Sequence, residues 1–315
     1  MKDQTIVVTG AAGFSGLHAC AYFASAAGGG MKVVGVVRDE GHARAAEVKR
    51  TGAAVDVCEL TDGEAVMRLM ARHQPDYVLH LAGLNAVGPS WNVPAVFLES
   101  NLMSTVYVLE AVRKLANGCR TLVAGSMLRF EWPGGGAAPE PPHPYGLSKT
   151  MQVSAVRCWH KLYGSDALVA EPSNLIGPGP SNGLCVLIAD HVRALRRSRA
   201  SGAPAMKPFR LSSAGERRDF LDVRDAVAAY DLLLRLGESG RVYPVASGML
   251  RTLGEVAEAF ELAADVPIEW EIGDSDAPSP QPADGSAVRA LGWRPRYPFE
   301  RSIADMIAAA PQPES

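Results

Sequence analysis

Residues Thr5 to Gly16 read TIVVTGAAGFSG: five β-branched residues in a row, then glycines at 10, 13 and 16 running into a helical pattern. β-Branched side chains favour an extended chain, so Thr5 to Thr9 predicts a strand and Phe14 to Ala26 the helix after it. The turn between them is Gly10-Ala-Ala-Gly13-Phe-Ser-Gly16, spaced G-x-x-G-x-x-G rather than G-x-G-x-x-G. Glycines there let backbone amides and a helix N-terminus approach a pyrophosphate without side-chain interference. The bland alternative is a tight turn with no ligand. The strand–turn–helix setting favours a dinucleotide and places Gly10, Gly13, Phe14, Ser15 and Gly16 against it.

Outward from this unit the alternation continues, predicting a parallel sheet covered by helices. Strands are expected at Lys32 to Val37, Ala53 to Val57, Tyr77 to Leu81, Arg120 to Ala124 and Ala167 to Ala170. Helices are expected at Glu64 to Arg72 and over residues 95 to 116, where Leu102, Val106, Leu109 and Val112 recur at helical spacing. Residues 131 to 144, with Gly134-Gly135-Gly136 and a proline-rich run ending in Pro144, form a loop of the length usually kept for function. A helix follows, with Pro144 in its first turn, where a missing N–H costs nothing. After Gly177-Pro178-Gly179-Pro180 the alternation fades; helices and loops are expected to dominate, with Asp274 to Gly285 as an exposed loop.

The 315 residues carry 31 basic and 34 acidic side chains, a formal charge of -3 that argues against a broad nucleic-acid surface. The basic cluster Arg193 to Arg199 reads as a solvated helix face. Cysteines at 20, 58, 119, 158 and 185 form no CxxC pair and no Cys/His ligand spacing, so reduced thiols are expected, with neither disulfides nor a metal site. Lys2 and Asp3 lead into an apolar run too short for a signal peptide, and no stretch approaches the roughly twenty apolar residues of a membrane helix. The expectation is a soluble cytoplasmic protein.

Cofactor choice turns on the end of the second strand, Arg38 followed by Asp39. An acidic residue in the decisive position would hold a free ribose 2′-hydroxyl; Arg38 there would pair with a 2′-phosphate. Arg38 favours NADP(H) over NAD(H), and Asp39 keeps NAD(H) open. Tyr145-Gly-Leu-Ser-Lys149 is the sharpest constellation. An i, i+4 pair shares one helix face, and a neighbouring ammonium is expected to lower a phenol pKa from its ordinary ~10. That would suit a general acid/base at a carbonyl oxygen. The same spacing also arises by chance on exposed helices. Ser126, just beyond the strand Arg120 to Ala124, lies at the carboxyl edge of the sheet, where ligands bind in open α/β folds. Alone it would be a turn residue; beside Tyr145 it can bond the reacting oxygen.

The glycine turn, Ser126, Tyr145 and Lys149 together resemble the extended short-chain dehydrogenases/reductases, the NAD-dependent epimerase/dehydratase family, over nearly the whole chain. The resemblance implies a Rossmann-type doubly wound parallel sheet with a smaller C-terminal substrate-binding α/β subdomain. Its division would be 1–172 plus about 216–247 for the cofactor and 173–215 with 248–315 for the substrate. His80-Leu81-Ala82-Gly83 is similar to the segment lining the cofactor, and Asn101 to an asparagine of the next helix. Glu59-Leu60-Thr61-Asp62 resembles an adenine-contacting D-L-T-D, with Glu59 departing from the first Asp. Tyr145 and Lys149 would also touch the cofactor.

Pro172 to Gly179, Arg217 to Asp225 and Val242 to Gly248 are similar to segments of GDP-mannose 4,6-dehydratases and GDP-4-keto-6-deoxy-mannose reductases. By that likeness Asn174 and Arg218, with Ser126, would bind a nucleotide sugar; the alternative for Arg218 is a salt bridge to Asp219 or Asp222. Leu291-Gly-Trp-Arg-Pro-Arg296 is similar to a C-terminal signature of structural weight. Sugar 4,6-dehydratases carry an acid two positions beyond the Ser/Thr; here that residue is Leu128, which does no acid/base work, and Phe130 replaces a common tyrosine. The expectation is reduction of a 4-keto-6-deoxy nucleotide sugar. An NAD-dependent 4-epimerase and a cofactor-sensing binding protein without catalysis are the rivals. The resemblance further implies a homodimer built on the Tyr145 helix and the helix over 95 to 116.

Overall fold

The computed structural model describes residues 4–39, 41, 44–115, 118–135, 137–179, 181–202, 206–276 and 279–309. Lys2, Asp3, residue 116, Gly136, Pro180 and residues 277–278, which enter the readings above, lie outside the described residues. In chain order the elements are β1 (Thr5–Thr9), α1 (Phe14–Ala24), β2 (Lys32–Val37), α2 (Ala45–Arg50), β3 (Ala54–Val57), α3 (Gly63–His73) and β4 (Tyr77–His80). Next come α4 (Val87–Ser90), α5 (Pro94–Leu98), a π-helical turn (Glu99–Met103), α6 (Ser104–Leu115), β5 (Arg120–Ala124), α7 (Pro144–Tyr163) and β6 (Ala167–Pro172). Then follow β7 (Asn174–Ile176), α8 (Leu184–Ser201), β8 (Phe209–Leu211), β9 (Arg217–Asp222), α9 (Val223–Leu236) and β10 (Val242–Val245). The chain closes with β11 (Leu250–Thr252), α10 (Leu253–Ala263), β12 (Trp270–Ile272), α11 (Ser286–Ala290) and α12 (Phe299–Ala308).

The chain divides into two compact units. The first comprises Met1–Pro172, Val227–Pro244 and Ala290–Trp293, and the second Ser173–Ala226, Val245–Arg289 and Arg294–Ser315. A seven-stranded parallel sheet runs β10-β6-β5-β4-β1-β2-β3. β1 is flanked by β2 and β4 in parallel register, Thr9 opposite Val36 on one side and His80 on the other. The strand order therefore reverses at β1, and the carboxyl ends of β1 and β4 open the crevice in which such sheets take ligands. Ile6, Val7 and Val8 are fully buried, as expected of a central parallel strand covered on both faces. Each such side chain contributes about 1.5–3 kcal/mol. Val7, Val34 and Val78 pack with Leu69 and Met70 of α3 and Val108 of α6. Asp62 caps α3 by accepting from the backbone N–H groups of Glu64 and Ala65 at 2.9 and 3.1 Å.

The second unit has its own core, in which Ile188, Val192, Phe220, Phe260 and Ile303 meet. Its strands are short: β7 and β11 flank β9, parallel and antiparallel respectively, and β8 pairs with β12. After residue 180 helices and loops dominate, as expected, with only the short strands β8 to β12 among the described residues. The division differs from the expected one: β9 pairs with β7 and β11, so Arg217–Ala226 joins the second unit, as does Val245 to Ser247, while Ala290–Trp293 falls in the first. The basic cluster is only partly solvated. Arg193 donates to the Met306 carbonyl and pairs with Asp190, its side chain 11% exposed.

The helix expected over 95 to 116 is α5, the π-helical turn and α6 end to end. By length and composition Pro94–Leu115 could cross a membrane, contrary to expectation. Here it is a sheet-covering element with Phe97, Asn101, Val108 and Leu109 buried.

Candidate active site

The turn after β1 is closed by the Gly13 amide donating to the Gly10 carbonyl at 2.9 Å. Gly10 has φ +67°, and a Cβ on it would lie 2.8 Å from Ala82 N; one on Gly16 would lie 2.1 Å from the Gly10 oxygen. No side chain could be added at either position without moving backbone. Gly13 caps α1 with no side-chain bond, and no acidic residue stands in the first turn. The first amides of α1, from Phe14, Ser15 and Gly16, are thus left to an anion, helped by the helix dipole.

Arg38 pairs with Glu59 at 3.6 Å, both well exposed. An exposed pair of this kind is worth about 0–1 kcal/mol, too little to keep Arg38 from a phosphate. Glu59 also accepts from Thr61 N and Oγ1 at 3.0 and 2.8 Å, and these bonds with Arg38 hold its carboxyl below its ordinary value despite some burial. Arg44 was not anticipated: its guanidinium reaches the Ala12 carbonyl at 3.5 Å. The available signal was a second arginine shortly after the second strand.

At the end of β4, His80 is fully buried between Thr9 Oγ1 (2.8 Å from Nδ1) and Ser104 Oγ (3.4 Å from Nε2). Burial, reinforced by Lys149, drives its pKa down to about 3, so it is a neutral polar strut. Leu81, Ala82 and Gly83 continue from it. Asn101, in the π-helical turn, accepts from Leu84 N at 2.8 Å and donates to Leu84 O at 3.1 Å and Ser148 Oγ at 2.9 Å. A widened turn at such a position is common at functional sites.

Ser126, Tyr145 and Lys149 come together in the first unit. The Ser126 side chain lies close enough to Tyr145 to favour its phenolate, and Ser126 Oγ accepts the Leu128 amide at 3.1 Å. Lys149, 6% exposed, donates to the Ala124 carbonyl and to Gln152 Oε1, both at 2.9 Å. Gln152 in turn donates to Thr105 Oγ1 at 2.8 Å. Burial pulls the lysine down to about 8, with Glu171 pulling the other way.

The expected lowering of the Tyr145 pKa is not found: desolvation raises it, opposed only by the nearby Ser126. The ammonium is turned to Ala124 and Gln152, so it does not offset the cost of a buried phenolate. A phenol held above its ordinary range is protonated at neutral pH and poised to donate.

Neither Gln152 nor the buried pair Arg129–Glu171 was read from the sequence. Arg129 bonds Glu171 and Glu131, while burial raises the Glu171 carboxyl and Arg129 lowers it. A polar residue on the buried stripe of a helix was the signal for Gln152. Leu128, two residues past Ser126, is half exposed.

In the second unit, Arg218 pairs with Glu216, its Nε 3.1 Å from Oε1, and not with Asp219 or Asp222. Asp219 accepts from Ser247 and Gly248 instead, and Asp222 from Arg224 and Ser302. Asn174 Nδ2 donates to the Asp219 carbonyl at 2.9 Å, which gives it a structural task on β9.

Residues 6–246 match the family described as NAD dependent epimerase/dehydratase. A GDP-6-deoxy-D-mannose reductase of Pseudomonas aeruginosa is 32% identical over 249 residues, covering 74% of this chain and 80% of the relative. The solved structure of RMD from Pseudomonas aeruginosa complexed with NADPH superposes with a TM-score of 0.79 at 27% identity, covering 97% of each chain. A UDP-glucose 4-epimerase from Thermus thermophilus, in complex with NAD, gives a TM-score of 0.79 at 25% identity, covering 97% of this chain and 98% of that one.

Proposed function

The chain belongs to the NAD dependent epimerase/dehydratase family, and from that premise we propose that it reduces a 4-keto-6-deoxy nucleotide sugar, GDP-4-keto-6-deoxy-mannose, with NADPH. As a member of that family it is an NAD(P)-dependent oxidoreductase acting on nucleotide sugars. The observation that carries the finer reading is Leu128. Its amide bonds Ser126 beside the proton donor, and where an elimination would need a carboxylate the chain offers an apolar side chain.

NADPH, when bound, would supply the hydride for reduction of the ketone at C4. Tyr145 donates its proton to the C4 oxygen, a role suited to a phenol that burial keeps protonated. Ser126 bonds the same oxygen and polarises the carbonyl. Lys149, held by Ala124 and Gln152, is assigned the nicotinamide ribose. The first amides of α1 would hold the pyrophosphate, Arg38 the 2′-phosphate, and Glu59, Leu60 and Leu81 to Gly83 the rest of the cofactor. Asn174 and Arg218 are assigned to the nucleotide of the substrate by likeness to the relatives.

Loss of NADPH absorbance on adding GDP-4-keto-6-deoxy-mannose tests the proposal. Inertness toward that ketone, with turnover of an intact nucleotide sugar, defeats it. The second reading, a 4-epimerase recycling tightly held NAD, draws on Asp39 and on the likeness to the Thermus enzyme; NAD⁺ released from the purified protein would favour it. We further infer a cytoplasmic homodimer. The free cysteines, four of five buried, suit a reducing compartment, and Leu162 and Tyr163 stand exposed at the end of α7. Sedimentation at micromolar concentration tests the dimer.

A further inference from the structure

The helix carrying Tyr145 starts on a histidine. His143 has an extended backbone (φ -166°, ψ 158°), and its Nδ1 accepts the Gly146 amide at 2.8 Å. This is the bond by which Ser, Thr, Asp or Asn usually caps a helix, made here by an imidazole nitrogen. A nitrogen that accepts carries no proton, so the neutral ring bears its hydrogen on Nε2. The same ring stacks on Tyr145, centroids 5.9 Å apart and planes inclined by 17°, and Phe97 meets the phenol edge-on at 6.3 Å. Gly146 makes the fit possible: a Cβ there would lie 2.9 Å from the Leu128 oxygen and 3.0 Å from His143 Cε1.

We propose that His143 is a positioning residue for the proton donor: as a neutral imidazole it fixes both the first turn of α7 and the ring plane of Tyr145, and on protonation it releases both. The cap holds the Tyr145 backbone, two residues into the helix, while the stack limits rotation of the ring. An imidazolium has no lone pair for the Gly146 amide and would place a cation at the positive end of a helix dipole. Burial acts in the same direction, keeping His143 below the usual histidine range against a weaker backbone bond.

Besides α4 and α5, the π-helical turn packs on α7, and its one titratable residue is Glu99. α4 and α5 carry no titratable side chain, and Tyr145 is a neutral phenol. Arg129 and Glu131 of the loop after β5 are bound to one another, Arg129 also to Glu171. Glu140, on the same loop as His143, is exposed. Among the described residues no ion pair to His143 forms.

The kinetic arm of the test rests on the proposed reaction; a spectroscopic arm does not. In ¹⁵N-labelled protein without substrate, the imidazole shifts should place the His143 proton on Nε2 at neutral pH, and an Nδ1-protonated ring would overturn the proposal. With the ketone, His143→Ala should lower kcat on the order of ten- to a hundredfold, the scale of a misplaced catalytic group. The KM for NADPH should stay within about twofold, as expected when uniform binding is untouched. His143→Asn, which can still cap but does not titrate, should regain most of kcat and lose the fall in rate on the acid side. An unchanged kcat and acid limb in His143→Ala, or an acid limb that survives in His143→Asn, would overturn the assignment. A wild-type protein inert toward the ketone would instead sink the proposed reaction, and the ring shifts would still decide His143.

Discussion

Lys149 Nζ donates to the carbonyl oxygen of Ala124 across 2.9 Å, tying the second turn of the Tyr145 helix to the last residue of β5. Ser126 stands two residues beyond that carbonyl. One lysine bond therefore sets how the strand bearing Ser126 and the helix bearing Tyr145 face each other.

The ammonium should set the basic limb of reduction. Its folded pKa of about 8 lies below the ordinary lysine value of 10.5, so the charged form dominates below about 8 and is lost as pH rises through it. The rate should fall over that range; a profile flat to pH ~10, near the unperturbed lysine value, would contradict this. For stability the sign is opposite: between about 8 and 10.5 the unfolded chain binds more protons, so this lysine makes the fold more stable as pH rises.

Tyr145→Phe should lower kcat by about 10²–10⁴-fold, the usual worth of a positioned acid, with NADPH affinity retained by fluorescence titration. Loss of binding together with rate would point to damage to the fold. Ser126→Ala should cost about 10²–10³-fold, as for removal of one bond to a developing oxyanion.

Arg38→Ser should weaken NADP(H) about 10- to 100-fold, the equivalent of the ~1.5–3 kcal/mol of a hydrogen bond to a charged group, and leave NAD(H) nearly unchanged. Dissociation constants for the four cofactor forms measure this, and equal losses for both cofactors would rule out a phosphate contact.

Arg129→Ala should cost about 3–5 kcal/mol in urea unfolding, because it strands the Glu171 carboxylate, whose side chain is 6% exposed. Replacing both partners by methionine should cost less, since no buried charge is then left alone. A single variant as stable as wild type would mean that water reaches Glu171.

The bounds of β1, β2 and β5 were legible in the sequence because short apolar, β-branched-rich runs and the glycine or charged residues that follow them act locally. So were the glycine turn and the i, i+4 placement of Tyr145 and Lys149, which follow from helix geometry alone. The π-helical turn was not legible, since Asn101 meets Leu84 and Ser148 only after β4 and α7 have packed. Nor were the three-residue strands β7 and β11, whose partner β9 is more than twenty residues away in either direction of the chain. Direction of charge was the other thing sequence could not give. Spacing put an ammonium near a phenol, but burial and the Ala124 and Gln152 acceptors decided that Lys149 points away and that Tyr145 keeps its proton. Composition and periodicity thus specified which groups lie on which element, while desolvation and long-range hydrogen bonds, which exist only in the folded chain, determined what those groups can do.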